Sequence, residues 1–197
     1  MARERERRAL SLVVEALEAR VIPTPTWLVR PGKDECGNQW SLIQGLYKQL
    51  SPGLELPDLM RSVERRDLDA VLEHDGVLRV FEFDEKQHFN RFRAQTLRQY
   101  AHLVPLAFDP DEWISRSEQK THLEGGGWGI PRPPLFDGEH GRHRQRAFRD
   151  ALADIVPLEY GYAPTLRIGE HEVAGWLSSA DAPARIRTLL TDKLTRG

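Results

Sequence analysis

Residues 65–89 read RRDLDAVLEHDGVLRVFEFDEKQHF and place acidic, basic and imidazole side chains at alternating positions. Strand side chains change face with a period of two. Val80, Glu82 and Asp84 would therefore share one face, while Phe81 and Phe83 point the other way into a core. If the extended geometry persists past Asp84, Lys86 and His88 join the same face. Clustered carboxylates repel each other unless a cation sits between them. Mg²⁺ suits them because it prefers hard oxygen ligands and keeps several waters, and Mn²⁺ is an alternative. Such an ion polarises a phosphodiester and offsets charge on its leaving oxygen. A neighbouring Lys86 or His88 could orient the attacking water or donate a proton. The expected catalytic set is thus Asp69, Glu82, Asp84, Lys86 and His88, with Gln87 beside it. Asp69 and Glu82 are expected to hold the metal, with Asp84 as a third ligand or an orienter.

The elements that must position these groups are legible around them. Two alternating runs, 67–73 and 77–85, flank Asp75-Gly76, a strong hairpin signal. Leu68, Ala70 and Leu72 would share one face, leaving Asp69 on the other beside Glu82. Apolar residues at helical spacing predict helices over 4–20, from Trp40 to Leu50 with Asn38 as its cap, over 89–103, and from His143 through Ile155. Residues 104–108 and 165–168 read as strands, the latter continuing after Gly169 into 171–173. Asp181 caps a last helix with Ile186, Leu189 and Leu190 as its stripe. The expected fold is α/β, a central mixed β-sheet flanked by helices. A single domain, 1–197, would comprise an N-terminal helix and arm (1–37), a core with the hairpin (38–108), an irregular Gly/Pro-rich insertion with one helical turn near Trp113 (109–141) and the rest of the core (142–197).

Composition excludes several classes. At 40% hydrophobic residues the chain has enough apolar material for a packed core, so it is not a disordered chain. A net charge of −2 does not suit a protein that coats nucleic acid through bulk charge, so any basic surface must be local. Arginine outnumbers lysine 23 to 5. That suits phosphate recognition, but GC-rich codon usage gives the same bias. One cysteine, Cys36, rules out an internal disulfide or a multi-cysteine zinc site. The charged start has no apolar leader and no run suits a membrane, so a cytoplasmic protein is expected. His140 and His143, and His171 before Glu172, lack zinc-site spacing. The run Gly125-Gly126-Gly127-Trp128-Gly129 lacks the Lys-Ser or Lys-Thr of a phosphate loop.

An Asp on one strand, then Glu82-x-Asp84 and Gln87-His88, resembles the PD-(D/E)XK nuclease superfamily, closest to its very-short-patch-repair-like endonuclease branch. Glu85 stands where that branch has Gly, and Asp84-Glu85-Lys86 also offers the general (D/E)-x-K register. A second patch is similar too: Arg149-Asp150-Ala151-Leu152, then Thr165-Leu166-Arg167-Ile168, then Glu170-His171-Glu172-Val173. The stretch between the patches, 90–142, is longer than in that branch. The resemblance implies a restriction-endonuclease-like core and a Mg²⁺-dependent endonuclease, a hydrolase of phosphodiester bonds with DNA as the expected partner. A catalytically inactive relative that binds nucleic acid or a protein, and a merely acidic interaction hairpin, are the alternatives. Two basic stripes flank the motif. Arg91 and Arg98 belong to one, and Arg142, Arg146 and Arg149 to the other. Solvated faces are the default reading of such stripes, but a nucleic-acid backbone would need cations there.

Overall fold

In a computed structural model, which describes residues 2–119 and 129–196, the hairpin forms as expected. His74 pairs with Val77, and Asp75 and Gly76 take positive φ of 49° and 75°, as a two-residue type I′ turn requires. The elements run α1 (Ala2–Leu17), β1 (Arg20–Ile22), α2 (Thr26–Val29), α3 (Lys33–Cys36), α4 (Trp40–Leu50), β2 (Ala70–His74), β3 (Val77–Asp84), α5 (Arg91–Tyr100), α6 (Pro110–Glu118), α7 (Gly141–Glu159), β4 (Ala163–Gly169), α8 (Glu170–Val173) and α9 (Ala182–Leu194). The strands form one mixed sheet in the order β1-β2-β3-β4. The first two pairings are antiparallel and the last is parallel. The chain is therefore mixed α/β, with helices on both faces of the sheet.

Strand alternation builds two cores. Ala70, Leu72, Phe81, Phe83, Leu166 and Ile168 face Leu12 and Val13 of α1 and Ile186 and Leu190 of α9. Val71 and Val80 face the opposite way, against Ile43 and Leu46 of α4, Leu97 of α5, and Ala151 and Ile155 of α7. Burying a side chain such as Phe81 or Phe83 contributes about 1.5–3 kcal/mol. That fixes the register of β3, because a slip of one residue would exchange its faces. With Phe81 and Phe83 anchored, Glu82 and Asp84 are forced to the α5–α7 side, and Arg167 follows them because it pairs with Glu82 across β3 and β4.

Several expectations are corrected. Strand β2 begins at Ala70 rather than 67, and Leu68 packs with the α4–α7 core instead of beside Ala70 and Leu72. Asn38 lies in a 3-10 turn and does not cap α4; its backbone N and Nδ2 donate to Glu159, at 3.1 and 2.7 Å. Residues 104–108 form no strand, only an isolated bridge from Ala107 to Leu166. The chain after Gly169 turns into α8, not strand. The stretch 109–141 is not irregular throughout. Asp109 Oδ1 accepts from the backbone N–H groups of Asp111 and Glu112, at 3.0 and 3.3 Å, and Pro110 opens the nine-residue α6. Gly125, Gly126, Gly127 and Trp128 lie outside the described residues. Among the described residues no helix is long and apolar enough to cross a membrane.

Candidate active site

Strand β3 ends at Asp84, and the chain enters a 3-10 turn, Lys86–His88, before Asn90 caps α5. The extended geometry therefore does not persist to His88. The turn brings His88 back toward Asp84 and sends Lys86 elsewhere. At the mouth of β2, an Asp69 carboxylate oxygen accepts from Phe83 N–H at 2.6 Å, which carries Asp69 across to β3. Asp69, Glu82, Gln87, His88 and Asp150 line one cleft of about 200 Å³, together with Arg66, Arg142, Arg146 and Arg149.

The two leading carboxylates are under electrostatic stress. Glu82 is 7% exposed; burial, then the charge of Asp69, holds its carboxyl well above the usual carboxylate range. Burial likewise pushes Asp69 up to about 6, although the Phe83 N–H opposes this. A divalent cation relieves such a pair, because it favours both ionised forms at once. Mg²⁺ is commonly held by one or two carboxylates plus waters, so Asp69 and Glu82 fit the expected ion.

A buried charge network lies behind them. Arg167 is fully buried between Leu166 and Ile168. Its Nη1 donates to Asp84 Oδ1 at 2.6 Å, its Nε to Asp154 Oδ1 at 2.7 Å, and its Nη2 to the Asp150 carbonyl at 3.0 Å. The other Asp84 oxygen accepts from Trp113 Nε1 at 2.6 Å. Arg93 donates to Asp154 Oδ2 at 2.9 Å and to the Tyr100 hydroxyl at 2.7 Å, and that hydroxyl donates to Asp154. His88 Nδ1 lies 3.1 Å from both Asp150 oxygens and 3.5 Å from Asp84 Oδ1. Burial alone would lower the His88 pKa, but the charge and hydrogen bond of Asp150, then the charge of Asp84, outweigh it and raise it. Burial tends to raise Asp150, yet His88 and Arg167 hold it well below the usual carboxylate range. With His88 protonated, three carboxylates (Asp84, Asp150, Asp154) balance three cations (His88, Arg93, Arg167).

This network decides the role of Asp84. Asp84, His88 and Asp150 come within 4.8 Å of one another, a spacing a metal could use. A cation placed there would compete with Arg167 and Trp113 for oxygens they already occupy. Both Asp84 oxygens are thus already engaged by Arg167 and Trp113. Lys86 lines a separate cavity of about 490 Å³ with Arg5, Phe89, Arg116 and His171. Of the two candidate proton donors, His88 lines the cleft with Asp69 and Glu82, and Lys86 does not. Gln87 lines the cleft, with its amide on Glu85 at 2.6 Å and its carbonyl facing Arg146 Nη1 at 3.4 Å. Of the basic residues expected at the site, Arg142, Arg146 and Arg149 line the cleft. Arg91 and Arg98 do not: Arg91 lies over the Phe92 ring at 4.9 Å, and Arg98 pairs with Glu118. Glu112, His171 and Glu172 also converge, but Glu112 already pairs with Arg116 at 2.9 Å and Glu172 with Lys193 at 2.8 Å.

Sequence reading missed Arg66 in the cleft and Arg93 and Asp154 behind it; Asp150 and Arg167 were quoted in the second patch but given no place at the site. Their signal was a charged residue within an otherwise apolar element, such as Arg167 in the strand of Leu166 and Ile168, or Asp150 and Asp154 four residues apart on the helix of Ala147, Ala151 and Ile155. No family model, curated protein or solved structure matches the chain.

Proposed function

We propose that this protein is a Mg²⁺-dependent nuclease with a PD-(D/E)XK, restriction-endonuclease-like core, acting on phosphodiester bonds of DNA. One observation carries the reading: Asp69 and Glu82 meet, with raised pKa values, in the same cleft as an imidazole held by Asp150 and a wall of arginines. Asp69 and Glu82 would hold the metal, which when bound would polarise the phosphodiester and offset charge on the leaving oxygen. Asp150 and Asp84 engage His88 Nδ1 and favour the imidazolium, leaving Nε2 to donate a proton to the leaving oxygen. Arg167 fixes Asp84 and Asp154 by side-chain bonds and the α7 backbone at Asp150, so the imidazole meets a set arrangement. Arg142, Arg146 and Arg149 supply the cations that let a polyanion approach two carboxylates.

The test is cleavage of labelled DNA and RNA in Mg²⁺ and in chelator. Cutting is expected in Mg²⁺ alone. His88→Ala should lower kcat by about 10²–10⁴-fold, the range for a lost general acid, while Lys86→Ala leaves kcat/KM unchanged. Binding without cutting would instead favour a catalytically inactive protein of the same fold. The reverse ranking of Lys86 and His88 would restore the Asp84-x-Lys86 register.

A further inference from the structure

Three of the four arginines that line the cleft have no ion-pair partner among the described residues. Four guanidinium groups line it: Arg66, Arg142, Arg146 and Arg149. Among the described residues, Arg66, Arg142 and Arg146 have no carboxylate oxygen within 4.0 Å, and Arg149 has one at 3.8 Å, on Glu64. The contrast with Arg93 and Arg167 is direct, since those two are matched to buried carboxylates. Arg66 is the most constrained of the four. It is 3% exposed; its Nε donates to the Leu28 carbonyl at 2.9 Å and its Nη1 to the Arg149 carbonyl at 2.8 Å, while its Nη2 is buried with no acceptor. A buried N–H without a partner is costly, and more so on a charged group. Burial lowers the pKa of all four, to about 10 for Arg66; the charges of Glu82, Asp150 and Glu64 oppose this and those of neighbouring arginines add to it. An anion placed among them would remove repulsion and supply acceptors together.

Charge counting says which anion. A divalent metal on Asp69 and Glu82 is neutral overall, so a scissile phosphodiester adds a single negative charge against four arginines, of which Arg149 also meets Glu64, with Asp67 a further carboxylate in the lining. A phosphomonoester brings about −1.5 to −2 and three acceptor oxygens. We propose that the cleft contains a phosphate subsite, built by Arg66, Arg142, Arg146 and Arg149 and separate from the Asp69–Glu82 metal position, that takes a phosphate dianion. The group could be the terminal phosphate of a nucleic-acid strand or free inorganic phosphate. The subsite deepens the nuclease reading, yet it does not require the metal, so the two can fail separately.

The experiment titrates inorganic phosphate into the full-length protein at pH 8 in chelator, at constant ionic strength, and follows Tm. A saturable rise beyond that given by chloride is expected. Arg142→Gln and Arg146→Gln, checked for folding by circular dichroism, should each weaken phosphate binding by about tenfold or more, the usual scale for a charged hydrogen bond. Arg66→Gln should do the same where it folds; because it also gives up bonds to two carbonyls, the two helix variants decide the matter. Glu82→Gln should retain the phosphate response while losing Mg²⁺-dependent cleavage. Tighter binding of 5′- or 3′-phosphorylated oligonucleotides than of dephosphorylated ones identifies a strand end as the ligand. Equal binding, with the inorganic phosphate response intact, identifies free phosphate. No response beyond chloride, or an undiminished response in both helix variants, overturns the subsite. A phosphate response in a protein that never cleaves would overturn the nuclease reading alone.

Discussion

At the scale of single residues, the cleft holds a carboxylate whose ionisation the fold disfavours. Asp69 moves from an ordinary value of 3.8 up to about 6 because it is buried. Its folded-state pKa lies above its unfolded one, so the native state binds the proton more tightly. The associated stability is present below about pH 4 and is lost as pH rises through about 6. Above that, the metal-free protein carries the cost of a buried, ionised carboxylate. Asp69→Asn keeps an oxygen to accept from Phe83 N–H and removes the charge. At pH 8 it should stabilise the metal-free protein by about 1–3 kcal/mol, a Tm rise of roughly 2–8 °C. The rise should shrink toward pH 4, and Mg²⁺ should no longer add to it. A lower Tm for the variant at pH 8 would show that Asp69 serves the fold instead.

At the scale of elements, β3, β4, α5, α6 and α7 meet at Arg167, and their attachment there is ionic as well as apolar. Removing one partner of a buried ion pair typically costs 3–5 kcal/mol, because the others are left charged and unmatched. Arg167→Met should therefore destabilise the protein by about that amount in urea unfolding, whereas Arg98→Met, on an exposed pair, should change it little. Equal effects would mean that the network adds nothing beyond packing. This junction also marks the limit of what sequence revealed. The Asp75-Gly76 hairpin, the opposed faces of Phe81 and Glu82, and the main helical stripes were legible because each rests on local periodicity or turn chemistry. Glu82 was legible for the same reason, whereas Asp69 lies outside β2 and reaches the cleft through the bond from Phe83 N–H. The 3-10 turn at Lys86–His88 was not, since no local signal ends the period of two at Asp84. Arg93 and Asp154 were missed, and Arg167 was given no role, because the pairings of Arg93 with Asp154 and of Arg167 with Asp84 join residues far apart in sequence. The capping signal at Asp109-Pro110 marked α6, but only tertiary packing shows that Trp113 reaches Asp84.

At the scale of the whole molecule, a net charge of −2 hides a sharp local division. Carboxylates and guanidinium groups line one cleft together, and the other basic stripe, with Arg91 and Arg98, lies outside it. Affinity for nucleic acid should follow the cleft and not the total charge. Arg142→Ala with Arg146→Ala should weaken DNA binding, and the slope of log affinity against log salt should fall by about 0.9 for each duplex phosphate that the variant no longer neutralises. Arg91→Ala with Arg98→Ala should leave both unchanged. If the second pair has the larger effect, DNA lies along α5 and the cleft is not its seat.

The most direct measurement is cleavage of a DNA substrate by purified protein, with Mg²⁺ or chelator, for the parent and for Glu82→Gln at matched folding. Glu82→Gln preserves size and removes the charge proposed to hold the metal. The expected result is Mg²⁺-dependent cutting by the parent and none above background by the variant, with DNA binding retained in both. Cutting by Glu82→Gln at the parent rate, or by the parent in chelator, would contradict a metal-dependent nuclease centred on Asp69 and Glu82.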